Sequence, residues 1–206
     1  MMPLDCPNCG DTVPRAIHHT VMVTCPSCAT TLYLDGNRLA KAGRSGDMHD
    51  SPMLFGLGDS VRLGRMMATL HGHARFSYGR GWWDEFWITN GSGRGGWLSV
   101  DEGDIVLQFP LDRSRIPTRI GRARIGQMIR MDGQAWTVTE MNDAECVALR
   151  GSFGEALTVG ETYRFLNADG EDGSLLSAEL WDGGEAWFLG DWFDPFAIRI
   201  TRESPA

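Results

Sequence analysis

One stretch of this chain returns in shortened form about ninety residues after it first appears, and that repetition narrows the folds open to the chain. Trp82 to Asp104 reads WWDEFWITNGSGRGGWLSVDEGD, and Ser177 to Asp194 reads SAELWDGGEAWFLGDWFD. In each, a Glu two residues before a Trp enters a glycine-rich turn, which the chain leaves through a second Trp and an apolar residue. The order is Glu85, Trp87, Trp97, Leu98, then Glu179, Trp181, Trp187, Phe188. A repeat of this size predicts two related modules.

Alternation inside the repeat is that of a β-strand. Trp83, Glu85 and Trp87 fall on one face, and Trp82, Asp84, Phe86 and Ile88 on the other. The neighbouring carboxylates Asp84 and Glu85 therefore point apart and cannot act together as the acid and base of one cleft. Asn90-Gly91 opens a hairpin turn. The run from Gly91 to Gly96 matches G-x-G-x-x-G, but a strand follows where a dinucleotide site needs a helix N-terminus. Upstream, Leu70, Gly72, Ala74 and Phe76 alternate with polar residues, which puts His71 and His73 on one face as a weak candidate for a second metal ion.

Four of the five cysteines lie near the N-terminus as Cys6-Pro-Asn-Cys9 and Cys25-Pro-Ser-Cys28. Two C-x-x-C knuckles at this spacing predict a four-thiolate zinc ribbon, with one structural Zn²⁺ per chain and no open coordination position. The residues from Val13 to Thr24 are expected to form the hairpin joining the knuckles. His18 and His19 on that stretch are expected to be surface residues, because the metal shell is already full. Cys146 stands alone among apolar neighbours and reads as a buried, inert thiol.

The net charge of -8 is unevenly spread. Residues 117–206 carry eight basic against fifteen acidic side chains, which argues against generic nucleic-acid binding. Arg113, Arg115, Arg119, Arg122 and Arg124 crowd one connector, where the acidic segment after it offers them partners within the chain. No apolar run is long enough for a membrane span, and the N-terminus lacks the pattern of a signal peptide, so the expectation is a cytoplasmic protein that does not span a membrane.

Short strands separated by turn signals, with almost no helical periodicity, predict an all-β fold: an N-terminal zinc ribbon followed by two related small β-barrel or sandwich units of SH3-like size. The expected divisions are a ribbon over 1–35, a linker over 36–52 with a brief helical turn near 38–42, a first β unit over 53–110, an Arg-rich connector over 111–124 and a second β unit over 125–206. The combination of the CPNCG and CPSC knuckles, a Gly-Trp-Trp-Asp-Glu-Phe strand, a Gly-Trp-Leu strand and a later Val-Gly-Glu-Thr-Tyr-Arg-Phe before a glycine-rich hairpin resembles the bacterial family of domain of unknown function 4178. That resemblance implies no particular activity, and it implies genomic neighbourhoods with polyamine-synthesis enzymes and small membrane proteins.

Two functions follow as expectations. A non-catalytic binding or adaptor protein would use Glu85 with Trp87, and Glu179 with Trp181, to hold a polyamine, another cationic ligand or a Lys/Arg-bearing segment of a protein partner, since a carboxylate beside an indole suits a cation. The alternative is an enzyme, a metal-assisted or carboxylate-based hydrolase, with its site between the two β units.

Overall fold

A computed structural model describes residues 4–14, 17, 19–35, 38–117, 123–181 and 184–202. His18, Arg15, Arg119 and Arg122 therefore lie outside the described residues. The architecture is all-β, and among the described residues no helix is long and apolar enough to cross a membrane.

The N-terminal part comprises β1 (Leu4–Asp5), β2 (Thr12–Val13), β3 (Met22–Thr24), β4 (Thr30–Asp35) and β5 (Arg38–Arg44). β1 pairs with β2 and β3 with β4, so each Cys knuckle closes its own hairpin, and among the described residues β2 does not pair with β3 as the expected joining hairpin would. Residues 38–44, expected as linker with a helical turn, are instead a strand on β4, with Leu39 facing Leu34 across the ladder. Pairing with a preformed edge outweighs the weak helical tendency of so short a piece.

Five strands follow as a meander: β6 (Ser60–Leu63), β7 (Met66–Ser77), β8 (Trp82–Asn90), β9 (Gly95–Asp101) and β10 (Asp104–Pro110). After a 3-10 turn at Arg113–Arg115 comes a second meander: β11 (Met128–Met131), β12 (Gln134–Phe153), β13 (Thr162–Gly170), β14 (Leu175–Trp181) and β15 (Gly184–Phe193). A last strand, β16 (Arg199–Thr201), returns to pair with β6, so this end of the chain joins the first meander although it follows the second. Arg115 reaches back to Asp132 with an N–O separation of 2.6 Å, an ion pair within the chain as the connector's charge suggested.

Each meander wraps a core of its own. Phe55, Val61, Leu70, Phe86, Ile88, Leu98 and Leu107 fill the first. Ile129, Trp136, Val138, Leu166, Leu176 and Trp187 fill the second. The meanders are nevertheless not separate sheets. β10 pairs with β15, and β12 pairs with β7, all antiparallel. Eight strands thus run in a closed ring, β7-β8-β9-β10-β15-β14-β13-β12. The ring has a third core inside it, including Trp87, Trp97, Phe76, Cys146, Leu149, Phe153 and Phe188. Alternate residues of one strand consequently serve two cores, as on β8, where Trp87 faces the ring core and Phe86 and Ile88 face the first meander's own. β12 continues past the ring to pair with β3 at Ser152 and Phe153, making the sheet of β3, β4 and β5 continuous with the rest.

Glycine sets the distance at two joins. At the seam, Gly190 lies opposite Gln108, and a Cβ there would come within 2.9 Å of Val106 Cγ1. Gly46, at φ +70°, lets the strap before the first meander lie on β12, where a Cβ would meet Val147 O at 2.1 Å.

Candidate functional site

Two places gather chemistry-bearing side chains. The first is the cysteine cluster. In each knuckle a backbone N–H closes the turn on the first cysteine, Gly10 N to Cys6 O at 2.8 Å and Ala29 N to Cys25 O at 3.0 Å. Gly10 and Ala29 both take the left-handed conformation, at φ 78° and 54°. These matched turns bring all four sulfurs within 4.8 Å of one another, with Cys6 and Cys28 Sγ at 3.8 Å and Cys9 and Cys25 Sγ at 3.7 Å. The four could hold a metal ion. Cys28 is already disposed to ionise, since the Thr30 hydroxyl and the Asn8 amide beside its sulfur lower its pKa to about 6.

The second place is a cavity of about 460 Å³ inside the ring, where the two meanders face each other. Glu85 and Glu179 both line it, from β8 and β14. Their tryptophan neighbours do not. Trp87 is buried, with its ring edge-on to Trp97 at 5.0 Å, and its Nε1 has no hydrogen-bond partner. Trp181 stands at the hairpin tip, 40% exposed, over Gly184. The aromatic walls are instead Trp83, Trp97, Phe165, Phe188 and Trp192.

This division has a topological cause. The sequence repeat aligned the β8–β9 hairpin with β14–β15, but β8 and β9 are the third and fourth strands of their meander, and β14 and β15 the fourth and fifth of theirs. The two hairpins stand one strand out of step in their meanders, and Trp97 faces the ring interior while Trp187 belongs to the second meander's own core. Matching places are marked by Leu98-Ser99 on β9 and Leu176-Ser177 on β14. Glu85 lies opposite Ser99, and Asn167 lies opposite Ser177. Glu85 and Asn167 therefore hold matching places, each on the third strand of its meander and opposite the serine of a Leu-Ser pair. The Leu-Ser pairs were the signal available in the sequence, and the louder Trp and Gly pattern masked them.

Glu85 Oε1 accepts from Trp83 Nε1 at 3.1 Å and from Ser99 Oγ at 3.0 Å. Burial raises its pKa, and these two donors oppose that shift. Glu179 lies deep in the protein yet reachable by solvent through the cavity, and it accepts no hydrogen bond from the described residues. Burial, then the charges of Glu85 and Glu155, push its pKa well above the ordinary value. Glu155, which accepts from Trp97 Nε1 at 3.3 Å, is pushed up to about 7, chiefly by burial. Gln108 spans the seam, donating to Ser99 Oγ at 2.9 Å and accepting from Ser177 Oγ. Asp101, Glu102, Asp104 and Glu140 add to the acidic lining, against the single cation Arg80 among the described residues.

Asp84 points the other way from Glu85, as the alternation required. Its carboxylate takes His73 Nε2 at 2.7 Å and Arg75 at 2.8 and 3.1 Å. Arg75 also donates to His49 O and Ser51 Oγ, tying the strap to the first meander. His71 and His73 do not converge. The ladder slips between Leu70 and Gly72, and this bulge puts His71 against Thr89, at 2.7 Å, on one face of the sheet, while His73 stacks on Phe86 on the other. Cys146 is fully buried and its pKa is raised to about 12, first by burial, which leaves it a neutral thiol.

A larger cleft of about 680 Å³ separates the cysteine knuckles from β12, and its basic side chains among the described residues are His49 and Arg150, the latter donating to Met48 O at 2.7 Å. It brings no set of convergent charged groups together.

Comparison with curated proteins and with solved structures gives no match. The family model for domain of unknown function DUF4178 matches residues 56–195, a span that takes in both meanders and the cavity between them and leaves out the cysteine knuckles, and the chain belongs to that family.

Proposed function

We propose that this is a binding protein whose ring cavity takes an organic cation, an ammonium or guanidinium group carried by a polyamine or by a Lys/Arg-bearing segment of a partner. The observation that carries this reading is the placing of Glu85 and Glu179 on one cavity wall system with Trp83 and Trp97. A cation held over an indole face gains about 0.5–2 kcal/mol, and more complementarity comes from the carboxylates. In this reading the two meanders are a duplicated SH3-like barrel whose edges have joined, and the ligand lies between the copies. Calorimetric titration with spermidine tests it: saturable heat is expected, and the absence of heat at millimolar concentration removes the small-polyamine version.

The cysteine cluster is proposed to hold one structural Zn²⁺. A tetrahedron with zinc–sulfur bonds of about 2.3 Å has sulfur–sulfur edges of about 3.8 Å. The separations of 3.8 and 3.7 Å agree with that figure. The family match stops short of this segment, so the zinc proposal rests on these sulfurs alone.

A second reading is a carboxylate-based hydrolase, favoured by the unequal surroundings of Glu85 and Glu179, one with two donors and one with none. Binding alone leaves the ligand chemically unchanged after incubation, whereas a hydrolase converts it.

A further inference from the structure

Hydrogen bonds across the cavity run in one direction. Ser177 Oγ donates to Gln108 Oε1, Gln108 Nε2 to Ser99 Oγ, and Ser99 Oγ to Glu85 Oε1, where Trp83 Nε1 adds a second donor. Every donor in the chain is spent on the Glu85 side. Glu85 is thereby prepared as the anion of the pair. Glu179 receives nothing from the described residues and faces carboxyls: Glu85 from β8 and Glu155 from the segment after β12. Asp101 from β9, Asp104 from β10 and Glu140 from β12 line the same space, with Arg80 before β8 as the counter-charge. The Cys146 thiol on β12 stays neutral. An enclosed carboxyl among carboxylates, with no donor of its own, keeps its proton until a positive charge arrives.

The spacing also selects the kind of charge. Among the described residues the four cysteines are the one group of three or more metal-ligand side chains whose ligand atoms lie within 4.8 Å of each other. Three cavity carboxyls therefore do not close around a bare metal ion, which needs oxygens about 2.0–2.6 Å from its centre. An ammonium or guanidinium group, with several N–H donors pointing different ways, can bridge carboxyls that are further apart.

Resting on the cation reading of the cavity, we propose that the cavity exchanges a proton for its ligand: an organic cation entering between Glu85 and Glu179 displaces the Glu179 proton to solvent. The balance is one neutral carboxyl and one cation going to one ion pair and one proton. Affinity then rises with pH until Glu179 is ionised in the free protein.

Spermidine titrated calorimetrically near about pH 7, in PIPES and in imidazole, reads the released proton directly, because the two buffers take it up with different heats. Net proton release, of up to about one proton per ligand, and affinity falling by up to about tenfold per pH unit on acidification are expected. Binding with the same heat in both buffers overturns the exchange and leaves the cation reading standing. No heat in either removes the small-polyamine version of the cation reading, and the exchange with it. In parallel, the ¹³C carboxyl resonance of Glu179 in the intact protein, assigned by its loss in Glu179→Gln, is expected to titrate well above the usual glutamate range and to move to its ionised position on adding spermidine. An ordinary titration in the free protein overturns the proposal without any ligand.

Discussion

Asp84 and Glu155 show how surroundings decide ionisation. Burial raises the pKa of Asp84, but His73 and Arg75 outweigh it and hold that carboxyl below its ordinary value. Glu155 is the opposite case. Burial raises it to about 7, the Trp97 donor opposes the rise, and Glu85 adds to it. Between the unfolded value of 4.5 and about 7 the folded protein holds more protons at Glu155 than the unfolded chain does. Stability from this group is full below that window and is lost as pH rises through it. Glu155→Gln keeps an acceptor for Trp97 and removes the titration. Urea unfolding across the window should show a weaker fall of stability with pH in the variant than in the wild type, and an unchanged slope contradicts the assignment. Asp84 and Glu85 also illustrate what alternation reveals. Their opposite facing was legible from the period of two, whereas their opposite electrostatics depended on His73, Ser99 and Trp83 meeting them from other positions.

The element that decides whether a cavity exists is the seam of β10 against β15. Ser99, Gln108 and Ser177 bridge it with side chains, and Gly190 lets the backbones approach. Gly190→Ala puts a methyl group against Val106 Cγ1. Overpacking of this kind costs about 1–3 kcal/mol, and here it also spreads the seam. Chemical denaturation should show that loss, with spermidine heat reduced along with it. Full stability in the variant refutes the close approach. None of this seam was legible beforehand, because its partners are the last strands of the two meanders and lie far apart in sequence. Local signals fared better. Two cysteine knuckles and the strand alternation predicted the clustered sulfurs and the all-β class, since each depends on residues near in sequence. The bulge between Leu70 and Gly72 defeated the His71 and His73 pairing, because one extra residue reverses every later side chain and leaves no mark in the alternation itself.

At the scale of the molecule, the cysteine-knuckle segment and the ring differ in what holds them. The core of the knuckle segment is small, built on Cys6, Val13, Val23, Cys25 and Leu32, whereas the ring and its meanders have three apolar cores of their own. If the cysteines hold zinc, a chelator should release one metal ion per chain and raise hydrogen exchange in residues 4–14 and 19–35, with β8, β9, β13 and β14 remaining protected. Loss of protection throughout the ring would show instead that the metal supports the whole fold. The closure of the ring has a further consequence for a chain being made from its N-terminus. The strands of the first meander are made long before β12 and β15, and until those appear β10 and the part of β7 from Gly72 to Ser77 are bare edges. Two nascent molecules that meet in that interval can each offer the other the missing half, so the geometry that encloses a ligand within one chain is equally a template for exchanging meanders between two.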